Sequence, residues 1–193
     1  MLLTSVIQDS FQEYEGHHAL VLFAQGCNLR CAECYNLKEI MNPTKNIGQA
    51  REVIDRYLTP LHDAVVFLGG EPTIHPDLPS LAGYVKSLRL NRKVYTNGLN
   101  PDMVERLNDS GLVDSYSVDF KTIDDSSFLG MNIPLSVYLK NVRMSIDNIL
   151  DHGIDLEIRT TRWTGVNIDG IKKFLSENYP NVRHIVQDKF EVA

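Results

Sequence analysis

No apolar run in the sequence is long enough to cross a bilayer. Cysteine is scarce: the only three, Cys27, Cys31 and Cys34, fall within eight positions. An extracellular disulfide framework spreads an even number of cysteines along the chain, so that class is excluded. Positive charge is also short. Lys and Arg number 19 against 25 Asp and Glu, for a net charge of −6, and they are scattered. Without a basic face, nucleic acid is not expected as the main partner. Linkers, internal repeats and low-complexity tracts are absent. The opening Met1-Leu2-Leu3-Thr4-Ser5 has neither the basic n-region nor the cleavage site of a secretory signal, so a cytoplasmic protein is expected. The 193 residues suffice for one domain, expected to span 1–193.

What the chain does have is a regular alternation of β-branched segments with amphipathic stretches of helical period. The pattern predicts strands at Ala19–Ala24, Ala64–Leu68, Lys93–Thr96, Val113–Asp119, Ile154–Thr160 and Val182–Gln187. Helices are predicted near Gly48–Leu58, Leu78–Leu90, Asp102–Asp109, Leu135–His152 and Ile168–Glu177. Pro101 suits a first helical turn, and Gly111 and Gly153 suit helix stops. Leu135, Leu139, Val142, Ile146 and Ile149-Leu150 form one core-facing stripe. Six strands alternating with five helices imply parallel βαβ units, in an α/β barrel of about six units or an open doubly wound sheet. Leu2–Ile7 and Phe11–Tyr14 read as a short antiparallel addition at its edge.

Chemically distinctive residues gather at the predicted strand ends, where active sites of this architecture assemble. They are Gly26-Cys27, Gly69-Gly70-Glu71, Thr96-Asn97-Gly98, Asp119-Lys121 and Arg159-Thr160-Thr161. Three crowded thiolates can each take one iron of a cubane, leaving a fourth iron open to a small chelating molecule. A zinc site, which wants four ligands, and a redox dithiol remain as other readings. Alternation along Asp155–Arg159 puts Asp155, Glu157 and Arg159 on a polar face opposite Leu156 and Ile158. Trp163 reads as packing, His75 as a solvated loop residue, and His62 and His152 as surface residues at helix ends.

Cys-x3-Cys-x2-Cys after the first barrel strand, with Gly69-Gly70-Glu71-Pro72 after the second, resembles the two signatures of the radical S-adenosylmethionine (SAM) superfamily. The resemblance implies a partial (β/α)6 barrel with a short N-terminal β addition. It implies a [4Fe–4S] cluster on Cys27, Cys31 and Cys34, and SAM chelated at the open iron. In that family the backbone and carboxylate of the Gly-Gly-Glu-Pro motif meet the methionine amino group. Glu33 stands where the family usually has an aromatic residue near the adenine, so that contact falls to Tyr35 or to backbone.

Cys34-Tyr35-Asn36 resembles the cluster loop of anaerobic ribonucleotide reductase activating proteins. Asp119-Phe120-Lys121 and Arg159-Thr160-Thr161 resemble the Asp-x-Lys and Arg-x-Thr segments of glycyl radical enzyme activases. Thr96-Asn97-Gly98 resembles their Asp-Thr-Asn-Gly strand end, with Tyr95 in the aspartate's place. By this likeness Thr96, Asn97, Asp119, Lys121 and Arg159 contact SAM. Lys121 offers a cation to its carboxylate and Arg159 a planar pair of donors. A rim ion-pair network with Asp119 and Glu157 is the structural alternative for these two. The implied reaction is reductive SAM cleavage, driven by a flavodoxin- or ferredoxin-type donor. It ends in removal of a glycine Cα hydrogen from a partner, expected to be anaerobic ribonucleoside-triphosphate reductase. The other readings are a small-molecule enzyme like the 7-carboxy-7-deazaguanine synthases and a non-enzymatic iron–sulfur or zinc protein.

Overall fold

The structure, a computed structural model, describes residues 1–188 apart from 35, 43, 45, 126, 131 and 132, and leaves aside the side chains of Glu39 and Phe128. Tyr35, an expected adenine contact, therefore lies outside the described residues. The strands are β1 (Leu2–Ser10), β2 (Ala19–Ala24), β3 (Gly48–Gln49), β4 (Ala64–Gly69), β5 (Asn91–Thr96), β6 (Ser115–Asp119), β7 (Asp155–Arg162) and β8 (Arg183–Asp188). The helices are α1 (Leu37–Ile40), α2 (Ala50–Tyr57), α3 (Leu78–Ser87), α4 (Pro101–Asp109), α5 (Leu135–Asp151) and α6 (Ile168–Asn178). They build one sheet ordered β3-β1-β2-β4-β5-β6-β7-β8. The six expected strands are parallel and adjacent in chain order, and β3 and β8 do not pair. The sheet is a barrel left open, as expected, and not a doubly wound sheet.

The N-terminal addition differs from its expected form. β1 runs unbroken from Leu2 to Ser10, antiparallel to β2, with register shifts between Leu3 and Ser5 and between Ile7 and Ser10. Those bulges interrupt the period-2 pattern, which is why the strand reads short in the sequence. Phe11–Tyr14 is not a strand. Gly48 and Gln49 pair with Leu3 and Leu2 instead of opening a helix. Helix α3 stops at Ser87, short of the expected Leu90, because Arg89 takes the left-handed conformation at φ 63°. A non-glycine stop carries almost no sequence signal.

The outward faces of β2, β4, β5, β6 and β7 bury Leu20, Leu22, Val65, Phe67, Val94, Tyr116, Val118 and Ile158 against the helices. On α5 the stripe is Tyr138, Val142, Ser145, Ile146 and Ile149, while Leu150 of the expected stripe is exposed. The inward face is divided. Ala19, Val21, Ala64 and Val66 make its apolar half. On the other half, parallel pairing aligns Lys93 with Ser115 and Asp155, then Tyr95 with Ser117 and Glu157. Lys93 Nζ bonds Glu157 at 3.0 Å.

The segment after β1 stops the base of the barrel. Tyr14 lies under Lys93, whose Nζ is 5.5 Å from the ring centroid, and Tyr95 Oη donates to Glu13 O at 3.0 Å. Glu15 reaches Arg183 on β8 at 2.6 Å. Beside it, His62 is buried at 6% exposure, not a surface residue. Its Nε2 and those of His18 and the carboxylate of Asp9 lie within 4.8 Å of one another. That trio is a latch, not a metal site. His62 Nδ1 accepts the Thr59 N–H at 2.9 Å, so Nε2 carries the proton that goes to Gln8 O at 2.6 Å. No lone pair remains there for an ion.

Candidate active site

At the tops of β2 and β4 two loops are pressed together. Gly70 N–H donates to Ala24 O and Glu71 N–H to Gly26 O, both at 2.9 Å. A Cβ on Gly70 would lie 1.8 Å from Gly26 O, and one on Gly69 2.7 Å from Ala24 N. Gly69 also holds φ at 108°, where other residues are strained. The glycines are required by the approach of the cysteine loop. On the loop's other side, a Cβ on Gly130 would lie 1.7 Å from Arg30 O.

The three cysteines are free thiols. Cys27 Sγ accepts the Leu29 N–H at 3.3 Å, and Cys34 N–H donates to Cys31 O at 3.1 Å. Burial pushes the Cys27 thiol up to about 11 and raises that of Cys31. A structural zinc ion wants four ligands, while a cubane takes each of three thiolates on a separate iron.

Glu71 is fully buried. Its carboxylate accepts from Thr73 N (3.1 Å), Thr73 Oγ1 (2.5 Å), Thr96 Oγ1 (2.7 Å) and Asn97 N (2.7 Å). Burial raises its pKa above the ordinary carboxylate value, against the pull of these bonds. The carboxylate thus ties the top of β4 to the top of β5. Pro72 begins a buried 3-10 turn, Pro72–Ile74. His75 follows it, half-buried behind the motif with Nε2 on Gln25 O at 2.8 Å, not solvated as expected; desolvation lowers its pKa.

Lys121 Nζ bonds Asp119 Oδ2 at 3.1 Å, and its backbone N–H donates to Tyr138 Oη at 2.7 Å. Burial alone would lower the lysine's pKa, but Asp119 and the neighbouring Cys31 outweigh it, so the ammonium sits above its ordinary value. Arg159 is more fully engaged. Nε (3.1 Å) and Nη2 both donate to Gln187 Oε1, Nη1 reaches Tyr95 Oη at 3.1 Å, and Nη1 lies 3.5 Å from Glu157. The ion pairs of the structural alternative are therefore both present.

Most expected site residues meet at one cavity of about 340 Å³. Its walls include Cys31, Cys34 and Glu33 from the cysteine loop, then Gly69, Gly70 and Glu71. Thr96 and Asn97 follow from β5, with Asp119, Lys121 and Arg159 from β6, its following loop and β7. Cys27 and Pro72 stand behind this lining. The sequence reading missed Phe23, Leu68, Gln187 and Trp163 as wall residues. Alternation in β8 could have placed Gln187 inward; for Trp163, after β7, no comparable signal exists.

Two observations test whether these residues suit a cluster with SAM. The donor set is three free thiols on one short loop. The adjoining cavity falls in the size range of small-molecule sites and carries both an ammonium and backbone polar groups. They fit.

Comparison with known proteins agrees. A glycyl-radical enzyme activating enzyme, so named provisionally, of Methanocaldococcus jannaschii is 31% identical over 121 residues, 62% of this chain and 50% of that protein. The Fe-coproporphyrin III synthase of Methanosarcina barkeri is 30% identical over 142 residues, 70% of this chain and 34% of that one. The chain thus spans half or less of the length of these relatives. Among solved structures, anSMEcpe with bound AdoMet and a Kp18Cys peptide shares the fold at a TM-score of 0.63 and 14% identity, covering 90% of this chain and 51% of that one. The radical SAM superfamily model matches residues 21–177. With the cysteine loop, the Gly-Gly-Glu-Pro turn and the open barrel in place, the chain belongs to the radical SAM superfamily, and works with a [4Fe–4S] cluster and SAM.

Proposed function

We propose that this radical SAM enzyme is an activase that places a radical on a glycine of a partner protein, with anaerobic ribonucleoside-triphosphate reductase as the expected partner. The observation that carries the reading is the open side of the barrel. The cavity is walled from both sides of the opening, by Ile7 on β1 beyond its short pairing with β3 and by Gln187 and Asp188 on β8, and among the described residues β1 and β8 do not pair. A gap between unpaired strands admits a loop of another protein to the cavity. The provisional name of the Methanocaldococcus relative supports the same reading. Among the described residues no helix is long and apolar enough to cross a membrane, and we place the reaction in the cytoplasm with a flavodoxin- or ferredoxin-type donor.

Bound together, the cluster and SAM supply a one-electron route to breaking a carbon–hydrogen bond. The chain's residues bind and orient. Cys27, Cys31 and Cys34 would hold three irons. The backbone of Gly69 and Gly70 would receive the amino group of SAM, with Glu71 bracing that turn through Thr96 and Asn97. Lys121, held and kept charged by Asp119, would pair with the carboxylate. Arg159 is committed to Gln187, Tyr95 and Glu157, and so serves mainly to knit β5, β7 and β8 around the cavity.

Lys121→Ala is therefore expected to retain its cluster and bind SAM about ten- to hundredfold more weakly, the loss of one charge-assisted hydrogen bond. Arg159→Ala should weaken binding less. Anaerobic calorimetric titration reads both, and unchanged affinity in Lys121→Ala returns that residue to the ion-pair role.

The activase reading is tested with the reduced protein, SAM and purified anaerobic reductase. The reductase should acquire a stable EPR doublet from its remaining glycine α-hydrogen. A glycine deuterated at Cα should pass deuterium to the 5′-deoxyadenosine product. If the reductase gains no radical, while a small molecule stimulates SAM turnover, the reading gives way to a small-molecule enzyme.

A further inference from the structure

Asn97 follows β5 directly at the rim, and its side-chain amide can be oriented without ambiguity. Oδ1 accepts the Leu99 N–H at 3.0 Å, in a turn where Gly98 takes φ 73°. Only the carbonyl oxygen of an amide accepts, so Nδ2 must face the cysteine loop. There it donates to Asn28 Oδ1 at 2.7 Å, and Cys27 Sγ lies 4.0 Å away. The same sulfur already takes the Leu29 N–H at 3.3 Å. The backbone N–H of Asn97 is meanwhile fixed on Glu71.

We infer that Asn97 is a positioning residue for the cluster: its amide holds the Cys27 end of the loop through Asn28 and offers a hydrogen bond to the Cys27 thiolate. A donor aimed at a ligating sulfur stabilises the reduced, more negative cluster and raises its potential. The Asn97 backbone contact with Glu71 also joins the cysteine loop to the Gly-Gly-Glu-Pro turn through one residue. The inference rests on family membership and holds whatever the substrate is.

Asn97→Leu removes the donor at similar size. Asn97→Asp keeps the acceptor for Leu99 but turns a charged acceptor toward Asn28 and Cys27. Each is reconstituted anaerobically, assayed for iron and titrated by EPR against solution potential. Where the unaltered protein is half reduced, the reduced-to-oxidised ratio should fall about tenfold in Asn97→Leu, or about 59 mV for one electron, and further in Asn97→Asp. Asn28→Ala, which leaves the Asn97 donor in place, should stay within about twofold. Asn97→Leu with full iron and an unchanged ratio overturns the inference. If neither Asn97 variant takes up iron, the native residue decides, in Asn28→Ala/Asn36→Ala protein carrying 15N in asparagine side-chain amides. Pulsed EPR of its reduced cluster should show a 15N coupling, and its absence overturns the inference.

Discussion

Alanine at any one of Cys27, Cys31 or Cys34 is expected to abolish the [4Fe–4S] EPR signal and SAM cleavage together. The three are the only thiols in the chain. All are free, and they sit on one short loop beside the cavity. A cubane already short of one protein ligand has no thiolate to substitute for the one removed. Iron analysis after anaerobic reconstitution, with circular dichroism to confirm folding, is the measurement. A full cluster in any one of the variants removes that cysteine from the ligand set.

Gly70→Ala should damage the protein nearly as badly by a different route. The added methyl would stand 1.8 Å from the Gly26 carbonyl oxygen and 3.0 Å from that of Ala24. Both are backbone atoms, so no side chain can rotate out of the way. To make room, the loop after β4 must leave the loop after β2, breaking the Gly70–Ala24 and Glu71–Gly26 hydrogen bonds. A loss of more than about 3 kcal/mol is expected from overpacking combined with broken buried hydrogen bonds. Denaturant unfolding of the metal-free protein would measure it independently of the cluster. A change below about 1 kcal/mol would mean that the two loops separate freely.

The parallel strands, their order and the rim location of the site were legible because each rests on local pattern: apolar period, turn residues and cysteine spacing. The cysteine loop and the Gly-Gly-Glu-Pro turn stood out for the same reason. What the sequence concealed depends on residues far apart. Nothing local in Glu71 tells that Thr96 and Asn97 will consume its carboxylate, nor that Gln187 will occupy Arg159. His62 looks like a helix-end residue until the end of β1 arrives over it. The bulges in β1 and the left-handed Arg89 concealed element boundaries, since both break a period without a glycine or proline to mark the break.

The segment that stops the base, Glu13 to Glu15 beneath Lys93 and Tyr95, gives the chamber a floor. A floored chamber is reached only from its rim and its open side, so a partner loop seated there would also cover the route by which water competes for a reactive species.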